Sequence, residues 1–268
     1  MTTLLLRLAG PMQSWGTQSR FTQRDTGMEP SKSGIIGLIC AALGMPRDAD
    51  DAEHDGRRIA LAELAALPMG VRVERAGTVE RDYHTAGGTH LLADKSRGYG
   101  VAQAGGGVRT VESERFYLAD ADFLVGLEGD ADLLAHLHAA LQSPCWQLSL
   151  GRKSFVPSLP IHVPNAPEYY GPPLRNESLM EVLHGEPWRV RRGDEPVPDR
   201  LRLAYDLDAN GAREVDETAV QAQRQDVPIS FAISRREYRD RTVAITTIPN
   251  PSFLEKGGKP DVPLSVAR

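Results

Sequence analysis

The sequence has 268 residues, 41% apolar and 25% charged, with a net charge of −5 at pH 7. That length accommodates one large domain, or a domain of about 150 residues with a sizeable appendage. Two cysteines argue against a disulfide framework, and no apolar run reaches the ~18 residues of a membrane span. Because Arg7 also interrupts the short apolar start, the chain is expected to be soluble and cytoplasmic, with no membrane partner.

Alternation at Leu4, Leu6 and Leu8 predicts a first strand. It runs through Ala9-Gly10-Pro11-Met12-Gln13-Ser14-Trp15-Gly16 into a polar, basic loop carrying Arg20 and Arg24. A helix over about Ser33 to Leu43 follows, with Pro30-Ser31 as its start signal and Gly44 as its stop. Ser31, Lys32 and Ser33 then occupy the first turn, where unpaired N–H groups and the helix dipole favour an anion. Cys40, on the apolar face of this helix, has the character of a small buried hydrophobe. A second helix through Leu61 to Leu67 is halted by Pro68. Strands over Met69 to Glu74 and Thr78 to Tyr83 flank a turn at Ala76-Gly77.

The segment from Ala86 to Gly107 holds seven glycines and cannot supply a core. It is either a plain surface loop or, given His90, Lys95, Arg97 and Tyr99, a loop of cations and a stacking aromatic suited to single-stranded RNA. Phe116-Tyr117-Leu118 and Phe123 to Leu127 predict a second strand pair. A helix capped by Asp130 or Asp132 follows, with Leu133, Leu134, Leu137 and Leu141 on one face, and Gln147 to Leu150 is expected as a last strand. This order of elements is that of the split β-α-β unit of a ferredoxin-like α+β fold, the RRM-like architecture of RNA-recognition modules. A domain over 1–155 results. The extension over 156–268 is expected to be irregular: proline-rich backbone at 155–175, a solvated acidic loop at 206–226, a strand over Thr242 to Ile248, and a tail from about 249.

Acidic charge is unevenly spread. Segments 119–142 and 193–226 each carry −5, whereas 1–46 and 143–192 each carry +2 and 227–268 carries +3. Such a division suits a chain that holds nucleic acid on one side only, although sampling alone could produce it. His136 and His138 stand two apart on a helix and so face different ways. No Cys/His zinc pattern, Walker loop, nucleophile elbow or dinucleotide fingerprint occurs, so no metal or cofactor is expected.

Four blocks, LRLAGPMQSWG, PSKSGIIGLICAALGM, RDYHT at 81–85 and LGRKS at 150–154, together with a weaker one at Ser234-Arg235-Arg236-Glu237-Tyr238, resemble the CasD-type members of the Cas five family. Those members are subunits of the type I-E CRISPR surveillance complex Cascade. The resemblance implies the ferredoxin-like fold and a protruding hairpin, the thumb, at about 86–110. It also implies a non-catalytic role: gripping the 5′ handle of CRISPR RNA, capping the filament of CasC subunits through the thumb, and helping to dock the large subunit CasA. Target DNA would be reached only through the guide. The candidate RNA contacts are Gln13, Trp15, Lys32, Ser33, Arg81, Tyr83, His84, Arg152, Lys153 and Ser154, with Lys95, Arg97 and Tyr99 in the thumb. Trp15 serves equally well as a core lid for the first helix. Relatives in type I-C systems cleave precursor CRISPR RNA with a Tyr, Lys and His set. An alternative is therefore a metal-independent endoribonuclease using Tyr83, His84 and Lys95. A further alternative is a ferredoxin-like interaction module that binds no RNA.

Overall fold

A computed structural model describes residues 1–16, 22–87, 101–102, 108–163, 172–188, 196–207 and 217–254. Strand β1 (Thr2–Ala9) leads to the two-residue strands β2 (Met12–Gln13) and β3 (Gln23–Arg24), and then to helix α1 (Lys32–Leu43). The hairpin of β4 (Asp51–His54) and β5 (Arg57–Ala60) precedes α2 (Leu61–Ala66) and β6 (Met69–Arg75). Next come β7 (Thr78–Gly87), β8 (Val101–Ala102), β9 (Val108–Ala119), β10 (Asp122–Gly129) and α3 (Ala131–Gln142). The remainder comprises β11 (Leu174–Arg175), α4 (Leu179–Gly185), β12 (Arg200–Asp206), β13 (Val220–Ser230), β14 (Glu237–Pro249) and the short α5 (Pro251–Leu254).

A mixed α/β architecture results, dominated by antiparallel pairing. The main sheet has seven strands in the order β11-β1-β10-β6-β12-β14-β13. The near-continuous apolar runs of β1, β10 and β6 reflect burial on both faces there. Leu4, Leu6 and Leu8 pack with Phe123, Val125 and α1, α2 and α3 residues in one cluster, while Leu5 and Leu124 join α4 residues, Leu203 and Tyr205 in another. This division follows from the period-two alternation of a strand. Helix α1 is capped as its sequence predicts: the Ser31 hydroxyl accepts the Gly34 N–H, and Gly44 ends the helix in the left-handed conformation. No helix among the described residues is long and apolar enough to cross a membrane.

The smaller sheet is built on a ribbon of β7 and β9, paired from Thr78↔Ala119 out to Gly87↔Thr110. β2 and β3 lie along β9 near its base, and Val101↔Arg109 continues the pairing outward. The chain leaves the main sheet at Gly77, where φ is +71°, and returns at Asp120, where φ is +58°. A 2.7 Å ion pair between Arg75 and Asp120 ties the two crossing points together. The ribbon therefore starts well before residue 86, and His90, Lys95, Arg97 and Tyr99 lie outside the described residues.

Three expectations are corrected. Phe116–Leu118 and Phe123–Leu127 are consecutive strands, yet they belong to different sheets, because the turn at Asp120 redirects the chain instead of folding it back. Gln147–Leu150 is not a strand. Pro144 precedes it, and the backbone groups of Leu150 bond outside any sheet, its N–H donating to Phe155 O and its carbonyl accepting from Ser14 N–H. The edge beside β1 is filled instead by β11 and by a bridge between Leu6 and His162. Finally, most of the described residues of the C-terminal extension lie in helices and strands. β12, β14 and β13 continue the main sheet outward from β6, and β13 takes up residues 220–226 of the stretch read as an acidic loop.

Candidate nucleic-acid interface

An open groove with a volume of about 740 Å³ runs between three segments of chain. One wall is the face of α1 that presents Ser33, Gly34, Gly37 and Ala41, where small side chains leave the helix backbone open to the groove. The segment after α3 supplies Trp146, Gln147, Ser149 and Lys153, and the turn between β13 and β14 supplies Phe231, Arg236 and Tyr238. Arg24 and Arg47 also line it. Four cations thus line the groove, and no Asp or Glu is among the described residues that do so. In a chain of net charge −5, that separation creates a local positive field suited to a polyanion.

The segment behind the groove is fixed by close backbone contacts. Gly151, at φ +91°, lies so near Ser14 that a Cβ there would stand 1.8 Å from its carbonyl oxygen. Arg152 donates to the Phe116 carbonyl at 2.9 Å, and its guanidinium carbon lies 5.3 Å from the centre of the Phe155 ring. Burial, then the fields of Arg115 and Arg24, pull its pKa below the ordinary arginine value. Arg152 is therefore a structural clasp, whereas Lys153 and Ser154 beside it are exposed.

Of the residues proposed from sequence, Trp15, Ser33 and Lys153 line the groove. Gln13 and Trp15 are both built into the core. Trp15, 1% exposed, packs on Gly34, and its indole N–H donates to Gln13 Oε1 at 3.2 Å. The Gln13 amide in turn donates to the carbonyls of Leu8 and Ala121. Lys32 is also withdrawn from any surface role. It is 5% exposed, with Nζ 2.8 Å from Asp206, while its backbone N–H donates to Asp226 at 2.8 Å. The anion expected at the start of α1 is thus a carboxylate of the chain's own C-terminal strands. Arg241 bridges Asp226 and Asp206, completing a buried ionic cluster. Burial pulls the Lys32 ammonium below its ordinary pKa despite Asp206.

Arg81, Tyr83 and His84 lie apart from the groove on the β7–β9 ribbon. Arg81 pairs with Glu114 at 2.8 Å, and Tyr83 is 59% exposed with its hydroxyl bonded to Glu112, which raises its pKa. His84 hydrogen-bonds Asp82, on its own face. Tyr83 and His84, as neighbours in a strand, project to opposite sides of the ribbon, so they do not converge on one reacting atom. Lys95 lies outside the described residues. Sequence reasoning assigned no role to Arg47, Trp146, Phe231, Arg236 or Tyr238. The block Ser234–Tyr238 signalled two of them, but Trp146 carried no motif. Among the described residues, no group of three or more His, Cys, Asp or Glu is placed to hold a metal ion.

Comparisons with known proteins agree with this architecture. The family model described as "CRISPR-associated protein (Cas_Cas5)" matches residues 3–244. The CRISPR system Cascade subunit CasD of Escherichia coli (strain K12) is 33% identical over 162 residues. That match covers 56% of this chain and 65% of the relative, slightly under two thirds of its length. A solved structure titled "CRISPR RNA-guided surveillance complex" contains a similar chain, with TM-score 0.68 and 33% identity over 94% of this chain and 92% of that one. Another, titled "Crystal structure of Cas protein", has TM-score 0.62 and 36% identity over 92% and 95% of the two chains. The likeness to CasD covers little more than half of the chain, whereas the family model and the two solved structures match nearly all of it, and the chain belongs to the Cas5 family of CRISPR-associated proteins.

Proposed function

We propose that this chain is the CasD-type subunit of a type I-E Cascade complex and holds the 5′ handle of CRISPR RNA in the groove between α1, the 146–153 segment and the β13–β14 turn. The observation that carries this reading is the groove's lining of Arg24, Arg47, Lys153 and Arg236, with no carboxylate among the described residues that line it. Phosphates are bound chiefly by such cations, and exposed aromatic rings beside them suit unpaired bases. The β7–β9 ribbon, as the thumb, would contact the adjacent CasC, and the body would help dock CasA. Support for a ferredoxin-like, RRM-like core comes from the order β1-β10-β6 with α1 and α3 packed together; its fourth strand would then be reduced to β11 and the Leu6–His162 bridge.

The role is non-catalytic in this reading. The opposed directions of Tyr83 and His84 count against the endoribonuclease alternative.

The test is salt-dependent RNA retention by Cascade reconstituted with its other subunits, comparing wild type with Arg47→Ala, Lys153→Ala and Arg236→Ala combined. Each lost phosphate contact lowers the slope of log affinity against log salt by about 0.7 for a single strand, so a fall of up to about 2 is expected. An unchanged slope removes the groove from RNA binding. Absence of RNA from a complex that still assembles would favour the interaction module without RNA.

A further inference from the structure

The sequence contains three tryptophans. Trp15 and Trp188 are buried, whereas Trp146 is 48% exposed and lines the groove. Leaving so large an apolar ring in water forgoes the stabilisation of burial, so its position calls for a partner. Its backbone is held firmly. Cys145 N–H donates to Ala42 O at 2.9 Å and Trp146 N–H to Ala41 O at 3.1 Å, which clips the residue to the last turn of α1. A ring mounted on the end of a rigid helix loses little freedom on engaging a ligand. Arg47 and Lys153 line the same groove to either side of it in sequence, and Gln147 and Ser149, which follow it, offer polar groups to a base edge.

Resting on the reading of the groove as an RNA site, we infer that Trp146 is a stacking platform for one unpaired nucleobase, held while the surrounding cations bind the flanking phosphates. An exposed tryptophan equally suits the centre of a protein interface. The acid-free cationic surroundings favour RNA, because a strand carries a phosphate at every nucleotide and a base with a π-face between them.

The experiment titrates the full chain with a single-stranded RNA octamer of mixed sequence and with an abasic octamer of equal charge. Indole emission and affinity are followed in wild type, Trp146→Phe, Trp146→Ala, and Arg47→Ala with Arg236→Ala. Trp15 also lines the groove, though only 1% exposed, so an emission change on binding is assigned to Trp146 by its absence in Trp146→Phe. Trp146→Ala is expected to weaken octamer binding roughly five- to a hundredfold with an unchanged salt slope, and Trp146→Phe to recover most of the loss. The abasic octamer should bind wild type about as weakly as the base-bearing octamer binds Trp146→Ala. The cation variant should lower the slope while the emission change at saturation persists. Equal affinities of wild type and Trp146→Ala, or of the two octamers, overturn the stacking role and leave the groove standing. No binding and no emission change overturn both. Unaltered RNA affinity with failed Cascade assembly in Trp146→Ala would overturn it in favour of a protein interface.

Discussion

Gly151 occupies a position where no side chain fits, since its φ of +91° and the carbonyl of Ser14 both exclude a Cβ. Gly151→Ala must therefore shift backbone on one side or the other. It is expected to cost at least ~2 kcal/mol in a denaturant melt, by the joined penalties of overpacking and a strained left-handed residue. A variant within ~0.5 kcal/mol of wild type would mean that the 146–153 segment moves freely, and the fixed groove wall would be lost with it. The two cysteines make a second contrast. Burial pushes the Cys40 thiol up to about 12, whereas Cys145 is exposed. One fast equivalent of alkylating reagent is expected on the native chain and a second only on unfolding, countable by mass spectrometry. At this scale the sequence was legible where the determinant is local. The Ser31 cap and the Gly44 stop act within one helical turn. Lys32 was misjudged because its partners, Asp206 and Asp226, lie 174 and 194 residues further along the chain.

The N-terminus of α1 and the three strands β12, β13 and β14 are joined by the cluster of Lys32, Asp206, Asp226 and Arg241. Burial alone would push the Asp226 carboxyl up, but Arg241 and the Lys32 N–H outweigh it, and the net pKa lies below the ordinary value. The resulting stabilisation is fully present above the unfolded carboxyl pKa of about 3.9 and is lost as pH falls through the lower folded value. Asp226→Asn leaves Arg241 and Lys32 undercompensated and is expected to cost roughly 3 to 5 kcal/mol at pH 7. That gap from wild type should narrow in melts taken below pH 4; a gap constant with pH would mean that Asp226 acts by packing alone. In the ribbon, Gly87 pairs with Thr110, so replacing residues 88–109 by Asn-Gly closes a two-residue hairpin loop. The variant is expected to keep the wild-type melting temperature while losing incorporation into Cascade. Normal incorporation would remove the thumb role. The opposed faces of Tyr83 and His84 were already legible as adjacent positions in a strand; the length of the ribbon was not, because the unbroken polar run Glu112-Ser113-Glu114-Arg115 hides strand character.

Across the whole molecule, the main sheet runs without a break from β11 to β13, so the C-terminal third completes a fold that the first 155 residues only begin. That continuity was hard to foresee. β13 is an edge strand, and its Gln221, Gln223 and Arg224 look like a loop because one side of an edge strand is free to be polar. β12, with Leu201, Leu203 and Tyr205 buried, carries the apolar signal of an inner strand, but nothing local indicated that it would pair with β6. A fragment of residues 1–163 would lose that pairing and leave the edge of β6 open beside Val71 and Val73. It would also strip Asp206 and Asp226 from Lys32, and Arg202 and Arg224 from the buried Glu29, stranding one cation and one anion in a nonpolar setting. The second hydrophobic cluster would keep Leu5, Leu124 and Val163 but lose every residue from α4, β12 and β14 that covers them. These losses together exceed the 5 to 15 kcal/mol by which ordinary domains are stable. The fragment is expected to show secondary structure in the far ultraviolet but no cooperative transition by calorimetry, and to aggregate through β6. A sharp calorimetric transition would instead make the first 163 residues an independent domain and the C-terminal strands an accessory.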